Sequence, residues 1–334
     1  MELTRREALQ GVISKCVPAV AALTIPVAQA AEPNALPKAP VGMLYDATIC
    51  IGCKACMAGC KEANGMPIDN NLAEPGQAPI WDTPVDISDK TLNIIKIYKQ
   101  GTAEVKDREF DGFSFIKRHC MHCVDAVCVS VCPVNAMRKN PITGVVTYNK
   151  DVCIGCRYCA FACPYNVPAY EFNKPLGEIR KCQFCDHRLK QGQLPGCVEH
   201  CPTGASLFGT REEILEEARR RLSMRPGEEY EYPIQTVSSL HKHVATVKEY
   251  QQHIYGEKEG GGTQVMMLAA VPYEKLGLPT LPEKSAASRS ETVQHTVYQN
   301  FLAPSLLLLF LLYITNKTVR RAQHEEEHKQ LEEE

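Results

Sequence analysis

Short alternations of apolar and polar residues recur through the first two thirds of the chain and predict brief β-strands. The predicted strands span residues 42–46, 113–117, 144–148, 178–181 and 205–209. Turn-rich stretches separate them, so the pattern predicts an α+β fold made of small, loop-rich strand–helix–strand units.

A helical pattern follows the last of these strands. Thr210 and Glu213 have the spacing of a capping box, which marks a helix start. The apolar positions after it share one helical face, which we expect to pack against the strands: Ile214, Leu215, Ala218 and Leu222. From residue 225 to about 290 the sequence is rich in Pro, Gly and Tyr, and we expect an irregular linker or docking segment.

The N-terminal segment has the features of an export signal. Arg5 and Arg6 precede a moderately apolar stretch over residues 11–27, and an A-x-A site predicts cleavage after Ala30. Paired arginines at this place are typical of the twin-arginine route, which carries folded proteins. Cys16 would be removed with this segment.

The C-terminal apolar segment predicts a membrane anchor. Residues 301–314 carry no charge but, as a helix, cover only about 21 Å of the ~30 Å hydrocarbon core. A helix over residues 297–319 supplies the missing length. The positive residues Lys317, Arg320 and Arg321 come after the uncharged stretch 301–314. Because positive residues favour the cytoplasmic side, we expect the tail in the cytoplasm and the body outside. A buried core helix or an amphipathic surface helix is the alternative.

These patterns together give five predicted regions. They are a signal peptide (1–30), a cysteine-rich domain (41–210), a helix with an irregular segment (211–296), a transmembrane helix (297–319) and a charged cytoplasmic tail (320–334).

Composition adds the chemistry. The chain has 334 residues, a formal net charge of -2 and 17 cysteines. The near-neutral charge gives no basic surface for nucleic acid. Sixteen cysteines form four tight groups: Cys50, Cys53, Cys56 and Cys60; Cys120, Cys123, Cys128 and Cys132; Cys153, Cys156, Cys159 and Cys163; Cys182, Cys185, Cys197 and Cys201.

The spacing of the groups favours iron-sulfur clusters. The first and third groups read C-x2-C-x2-C-x3-C, the run that holds [4Fe-4S] clusters in bacterial ferredoxins, where the fourth Cys ligates the other cluster. Pro133, Pro164 and Pro202 end a turn directly after the last cysteine of three groups. A disulfide framework and zinc are the alternatives. Neither accounts for four closely spaced cysteines followed by Pro.

Sixteen thiolates at four per cluster give four [4Fe-4S] clusters. About twenty residues separate the second and third groups, as in two-cluster ferredoxins, so these groups pair and the first pairs with the fourth. Four ligand sets follow: set 1, Cys50, Cys53, Cys56 and Cys201; set 2, Cys60, Cys182, Cys185 and Cys197; set 3, Cys120, Cys123, Cys128 and Cys163; set 4, Cys132, Cys153, Cys156 and Cys159.

Residues 41–210 resemble the iron-sulfur subunits that accompany molybdopterin oxidoreductases and certain hydrogenases. Within that group the chain is similar to ferredoxin-like subunits of membrane-bound nickel-iron hydrogenase-2 complexes. Both membrane signals support this narrower likeness, together with residues 42–46, 120–125, 196–199, 255–265 and 271–274. In that family, too, the first cysteine group pairs with the fourth.

The resemblance implies an electron carrier without a catalytic site of its own. Electrons from hydrogen would pass from the large and small hydrogenase subunits through this chain to an integral membrane subunit and quinone, at the periplasmic face of the bacterial inner membrane. The alternatives are the iron-sulfur subunit of a molybdopterin enzyme, such as a formate dehydrogenase or sulfur-compound reductase, and a non-redox metal-binding or assembly protein. Candidates for tuning cluster potentials are Lys54, Arg118, His119, His122, Arg157 and Lys181.

Overall fold

The computed structural model describes residues 37–67, 84–174, 177–288 and 304–321. Within these ranges, residues 37–288 belong to one compact unit and residues 304–321 to a second. The predicted signal peptide (1–30) and most of the predicted tail (320–334) lie outside the described residues.

The larger unit mixes short strands with short helices, which confirms the α+β prediction. The strands are β1 (Val41–Asp46), β2 (Ile94–Lys99), β3 (Val105–Lys106), β4 (Gly112–Arg118), β5 (Met137–Lys139), β6 (Val146–Tyr148), β7 (Ala169–Tyr170), β8 (Ile179–Arg180), β9 (Ser206–Thr210), β10 (Glu229–Pro233), β11 (Gln235–Thr236), β12 (Lys242–Thr246) and β13 (Val265–Leu268). The helices are α1 (Ala55–Ala63), α2 (Val127–Ser130), α3 (Tyr158–Ala162), α4 (Asp186–Leu189), α5 (Gly196–Glu199) and α6 (Arg211–Leu222), with 3₁₀ turns at Ala47–Ile49, Lys150–Val152 and Glu259–Gly261.

A four-stranded sheet in the order β11-β9-β1-β13 forms the base of this unit. β1 pairs antiparallel with β9 and parallel with β13. Because side chains alternate across a strand, the two faces of β1 have different partners. Leu44 packs with the apolar side of α6, whereas Met43 and Tyr45 belong to the buried cluster that contains cysteines of the first and fourth groups.

Helix α6 forms as its sequence pattern predicts. The Thr210 side chain caps the Glu213 N–H, and the Glu213 carboxylate accepts from the Thr210 N–H, which completes the capping box. Ile214, Leu215 and Ala218 are buried. The helix contacts β1, β9 and β13 and so covers the face of the sheet that lies away from the cysteines.

The irregular course expected over residues 225–290 was wrong in part. β10 and β12 form a two-stranded sheet, and β13 joins the main sheet beside β1. All four residues of β13 are buried. A strand buried on both faces lacks the apolar–polar alternation that identifies strands in a sequence, and its partner β1 lies more than 200 residues earlier.

Small antiparallel strand pairs flank the inner cysteine groups. β5 pairs with β6 between the second and third groups, and β7 pairs with β8 between the third and fourth. A separate sheet of β2, β4 and β3 leads into the second group. All five strands predicted from the sequence are present as β1, β4, β6, β8 and β9, with ends shifted by up to two residues.

The second unit contains helix α7, residues 304–321. Its leucines at positions 306–309, 311 and 312 are 51–63% exposed. The span predicted for residues 297–319 begins outside the described residues. Among the helices that the structure does describe, none has both the length and the apolar character of a membrane crossing.

Candidate metal centres

The four cysteine groups share one backbone feature. The third residue of each group has a left-handed conformation, at Gly52 (φ 69°), His122 (φ 49°), Gly155 (φ 68°) and Phe184 (φ 57°). This conformation turns the peptide N–H back toward the first thiol: Gly155 donates to Cys153 Sγ and Phe184 to Cys182 Sγ, both at 3.4 Å. The Gly52 N–H likewise bonds Cys50, so the first, third and fourth groups begin with a loop whose donor points at sulfur, the arrangement that stabilises a negatively charged thiolate.

The cysteines of set 1 line a common cavity. Cys50, Cys53 and Cys56 surround it together with Cys201. Ser206 N–H donates to Cys201 Sγ at 3.4 Å. Burial is the main cause of the raised pKa of Cys50, and the Cys201 thiolate adds to it. Two thiols about 150 positions apart in the sequence are thus neighbours in the fold.

A second cavity has the cysteines of set 4 around it. The thiols that line this space are Cys132, Cys153, Cys156 and Cys159. Ala136 N–H donates to Cys132 Sγ at 3.2 Å. Burial raises the pKa of Cys159 to about 11, and the Cys132 thiolate is the next cause. As in the first cavity, one thiol comes from a different group than the other three.

The thiols of set 3 act on one another electrostatically. Burial raises the pKa of Cys123 well above its ordinary value, and the thiolates of Cys120, Cys128 and Cys163 raise it further. Burial likewise raises the pKa of Cys128 to about 12, with Lys181 opposing the rise. Each charged thiol is costly here unless a cation or metal offsets it.

The thiols of set 2 also raise one another's pKa. Burial raises the pKa of Cys60, and the thiolates of Cys197 and Cys185 are the next causes. Cys182 is affected by burial first and then by Cys120, Cys60, Cys185 and Cys197. The Asn64 amide also lies near this set, with Nδ2 3.7 Å from Cys60 Sγ and 3.9 Å from Cys185 Sγ.

Electrostatic effects between thiols link one set to the next. The Cys197 thiolate of set 2 contributes to the raised pKa of Cys56 in set 1. The Cys120 thiolate of set 3 does the same to Cys182 in set 2, and Cys159 of set 4 to Cys128 in set 3. These links favour a row in the order of sets 1, 2, 3 and 4.

The donor chemistry fits an iron-sulfur group. All sixteen grouped cysteines are free thiols rather than disulfides. Four thiolates per site are the usual ligands of a [4Fe-4S] cluster. Within the described ranges no three His, Cys, Asp or Glu side chains lie close enough to hold a single metal ion. The thiols of sets 1 and 4 instead line one cavity each.

Buried basic side chains lie among the cysteine sets. Lys117, His119, His122 and Lys181 are at most 3% exposed. Burial lowers the pKa of Lys117, but the thiolates of Cys197, Cys56 and Cys201 raise it above the ordinary value. Burial and Lys117 lower the pKa of His119. Burial and Lys181, followed by His119, lower that of His122, so both imidazoles are neutral at pH 7.

Sequence reasoning named three of these four basic residues and missed Lys117. The available signal was a lysine two positions after Phe115 on the same face of a predicted strand, where an apolar residue is expected. Of the other predicted tuning residues, Lys54 and Arg118 are half-buried and Arg157 is exposed. Arg157 stacks over the Tyr170 ring, with its guanidinium carbon 5.3 Å from the ring centroid.

Comparison with known proteins gives consistent matches. The family model of the 4Fe-4S dicluster domain matches residues 112–211. The chain is 48% identical over 304 residues to the hydrogenase-2 operon protein HybA of Escherichia coli O157:H7, covering 90% of this chain and 91% of that protein. It is 33% identical over 250 residues to the iron-sulfur subunit of the nitrate-inducible formate dehydrogenase of Escherichia coli K12, covering 74% of each.

Proposed function

Because this chain belongs to the family of the hydrogenase-2 operon protein HybA, we propose that it is the electron-transfer subunit of a hydrogenase complex. It carries four [4Fe-4S] clusters and relays electrons from a periplasmic nickel-iron hydrogenase to a quinone-linked membrane subunit. The chain supplies ligands and has no catalytic site of its own.

One observation carries the cluster assignment. Each of the two cavities is lined by three thiols of one group and one thiol of another. The nested pairing of groups, second with third and first with fourth, requires this arrangement. Set 1 holds cluster 1, set 2 cluster 2, set 3 cluster 3 and set 4 cluster 4. When bound, each cluster accepts and returns one electron. The protein's residues hold it, exclude water and fix the charge around it.

The row of sets supports a linear relay. Electrons would pass between neighbouring clusters in the order 1, 2, 3, 4 or the reverse, because thiols of adjacent sets are electrostatic neighbours. Cys53 of set 1 is exposed, and three thiols of set 4 are half-buried, Cys132, Cys153 and Cys156, as are three of set 3.

Apolar side chains at both ends suggest where partner subunits dock. Beside set 1, Ile51 is 57% exposed. Beside set 4, four large apolar residues are exposed, Ile154 (64%), Tyr158 (59%), Phe161 (85%) and Phe172 (76%). Exposed apolar patches of this kind mark protein interfaces. We assign one end to the hydrogenase small subunit and the other to the membrane subunit.

Export and anchoring complete the proposal. The Arg5–Arg6 signal would send the folded, cluster-loaded protein through the twin-arginine route, with cleavage after Ala30. A helix over residues 297–319, of which α7 is the described part, would anchor it at the periplasmic face with its tail in the cytoplasm. The exposed leucines of α7 support contact with lipid.

A reductive titration followed by electron paramagnetic resonance tests the relay. We expect signals from four reducible clusters in the full-length protein. A preparation whose iron never changes oxidation state would contradict the relay and favour a metal-binding or assembly role instead.

The identity of the catalytic partner needs a separate test, because formate dehydrogenase subunits are also relatives at 33–36% identity. The complex is purified from membranes, and the large subunit is assayed for nickel and molybdenum. Nickel is expected, and molybdenum without nickel would replace the hydrogenase with a molybdopterin enzyme.

A further inference from the structure

Lys117 is a fully buried lysine next to the set 1 cavity. It lies on β4 opposite Ile95 of β2, and its side chain is 0% exposed. Its ammonium donates to Ser206 Oγ at 3.0 Å and lies 3.7 Å from Met43 Sδ. Ser206 lines the set 1 cavity and donates its N–H to Cys201. The ammonium is therefore one residue away from a thiol of set 1.

Lys181 has a similar position in the inner half of the row. It is 2% exposed and directly precedes Cys182. Its ammonium donates to the Val146 carbonyl and, at 2.9 Å, to the Cys182 carbonyl. Val146 in turn donates its N–H to His122 Nδ1, between Cys120 and Cys123 of set 3.

Neither lysine has a carboxylate partner within the described part of the chain, unlike the buried Arg221. Arg221 pairs with Asp46 at 2.7 Å and with Glu217 at 2.9 Å. The Lys117 ammonium contacts Ser206 Oγ, the Met43 sulfur and the Cys197 thiol, and Lys181 donates to two backbone carbonyls. A buried charge without a counter-charge is strongly unfavourable. The groups that can balance these lysines are the cysteine sets.

We propose that Lys117 and Lys181 are the internal counter-charges of the clusters and raise their reduction potentials, Lys117 for clusters 1 and 2 and Lys181 for cluster 3. This inference rests on the proposed function. Reduction adds one electron to a cluster, and a fixed positive charge in a low-dielectric interior stabilises the added negative charge. The Lys117 ammonium has a hydrogen bond with the Cys197 thiol of set 2, and Ser206 links it to Cys201 of set 1, so this one ammonium acts on both sets.

The test uses the full-length chain in its purified complex and replaces each lysine by methionine, which has an unbranched side chain without charge. Lys117→Met is expected to lower the potentials of two clusters, and Lys181→Met to lower that of a different cluster. The matched control is Lys190→Met, five residues after Cys185, because the Lys190 side chain is 70% exposed and paired with Asp186. Solvent screens its charge, so no potential should move. Potentiometric titration with electron paramagnetic resonance measures all four clusters.

The outcomes separate this inference from the proposed function. A wild-type chain without reducible clusters would remove the function itself. Intact clusters with wild-type potentials in Lys117→Met and Lys181→Met would overturn only the counter-charge role, as would a shift of the same clusters by both variants. Where Lys117→Met fails to hold iron, Lys117→Arg decides. Retention of iron in Lys117→Arg supports the role of charge, and its loss there too would show that shape, not charge, is required.

Discussion

His122 and Phe184 adopt the same left-handed backbone conformation that Gly52 and Gly155 adopt in the other two cysteine groups. A side chain in this conformation costs about 1–2 kcal/mol, and here packing offsets it. The His122 and Phe184 rings meet edge to face with centroids 4.7 Å apart, and His122 Nδ1 accepts from Val146 N–H at 3.0 Å. The loop geometry is therefore common to all four groups although its residue type is not.

The two glycines should tolerate alanine differently. A Cβ on Gly52 would lie 2.4 Å from the Phe115 ring, whereas one on Gly155 would lie 3.3 Å from the Tyr170 ring. We expect Gly155→Ala to cost about the backbone strain alone, ~1–2 kcal/mol, and Gly52→Ala to cost about 1–3 kcal/mol more.

Thermal loss of the cluster absorbance measures the order of these variants. Gly192→Ala is the control for backbone strain, because Gly192 also has a positive φ (73°) with no atom within 4 Å of its would-be Cβ. Equal losses in all three variants would contradict the role given to Phe115.

Cys197 and Cys201 lie four residues apart but are assigned to different clusters, which makes a sharp test. Cys201→Ser is expected to remove cluster 1 and Cys197→Ser cluster 2, each about four irons. Adding Cys50→Ser to Cys201→Ser should remove nothing further, since both ligate cluster 1. Adding Cys60→Ser should remove about four irons more. Iron content and resonance signals give the count, and the opposite pattern would refute the nested pairing.

At the scale of elements, helix α6 is tied to β1 by a buried ionic network. Arg221, fully buried at the end of α6, bonds Glu217 one turn earlier and Asp46 at the end of β1. Asp46 also accepts from the Tyr250 hydroxyl at 2.8 Å and from the Thr48 hydroxyl at 2.7 Å. The network fixes the chain four residues before Cys50, so it positions the first ligand of cluster 1.

Removing this arginine should be severe. Arg221→Met leaves the buried Asp46 carboxylate without its charged partner, while Glu217 keeps Arg220, and the change is expected to cost about 3–5 kcal/mol. Arg219→Met is the control, because its side chain is 59% exposed in a pair with Glu257, and such pairs contribute less than about 1 kcal/mol. Chemical unfolding under anaerobic conditions compares the two, and similar costs would contradict the importance of the network.

At the scale of the whole molecule, the relay depends on what covers its ends. Phe161→Asp places a charge in the apolar patch beside set 4 and should slow electron transfer to the partner while all four clusters stay reducible. Leu240→Asp is the control, because Leu240 is 94% exposed and lies outside the cysteine-rich segment. Quinone-linked hydrogen oxidation by the complex gives the rate. An unchanged rate in Phe161→Asp would exclude this patch as a docking site.

Membrane attachment is tested by truncation. A chain ending at residue 296 lacks α7 and is expected in the soluble periplasmic fraction with its clusters intact. A chain ending at residue 321 loses only the terminal charged run and should stay with the membrane. Membrane retention of the shorter chain would show that partner subunits, not residues 297–319, hold the protein there.

The sequence by itself determined the chemistry and much of the local structure. The cysteine spacing indicates the ligands because each cluster is expected to take three of its four thiolates from one group. Helix α6 is predictable because its cap and apolar face depend on residues close together in the chain. The paired arginines near the N-terminus predict export, and the apolar segment near the C-terminus predicts anchoring. Both segments lie largely outside the described residues.

Only the tertiary structure decided the features that depend on distant residues. The meeting of Cys201 with the first cysteine group at one cavity, the place of β13 beside β1 and the burial of Lys117 beside Cys197 all arise from contacts between separated parts of the chain. No local pattern encodes such contacts, because a lysine at a strand position has the same sequence signature whether its ammonium reaches water or a buried cluster site. Burial gives that charge its effect, since the interior screens it far less than solvent does.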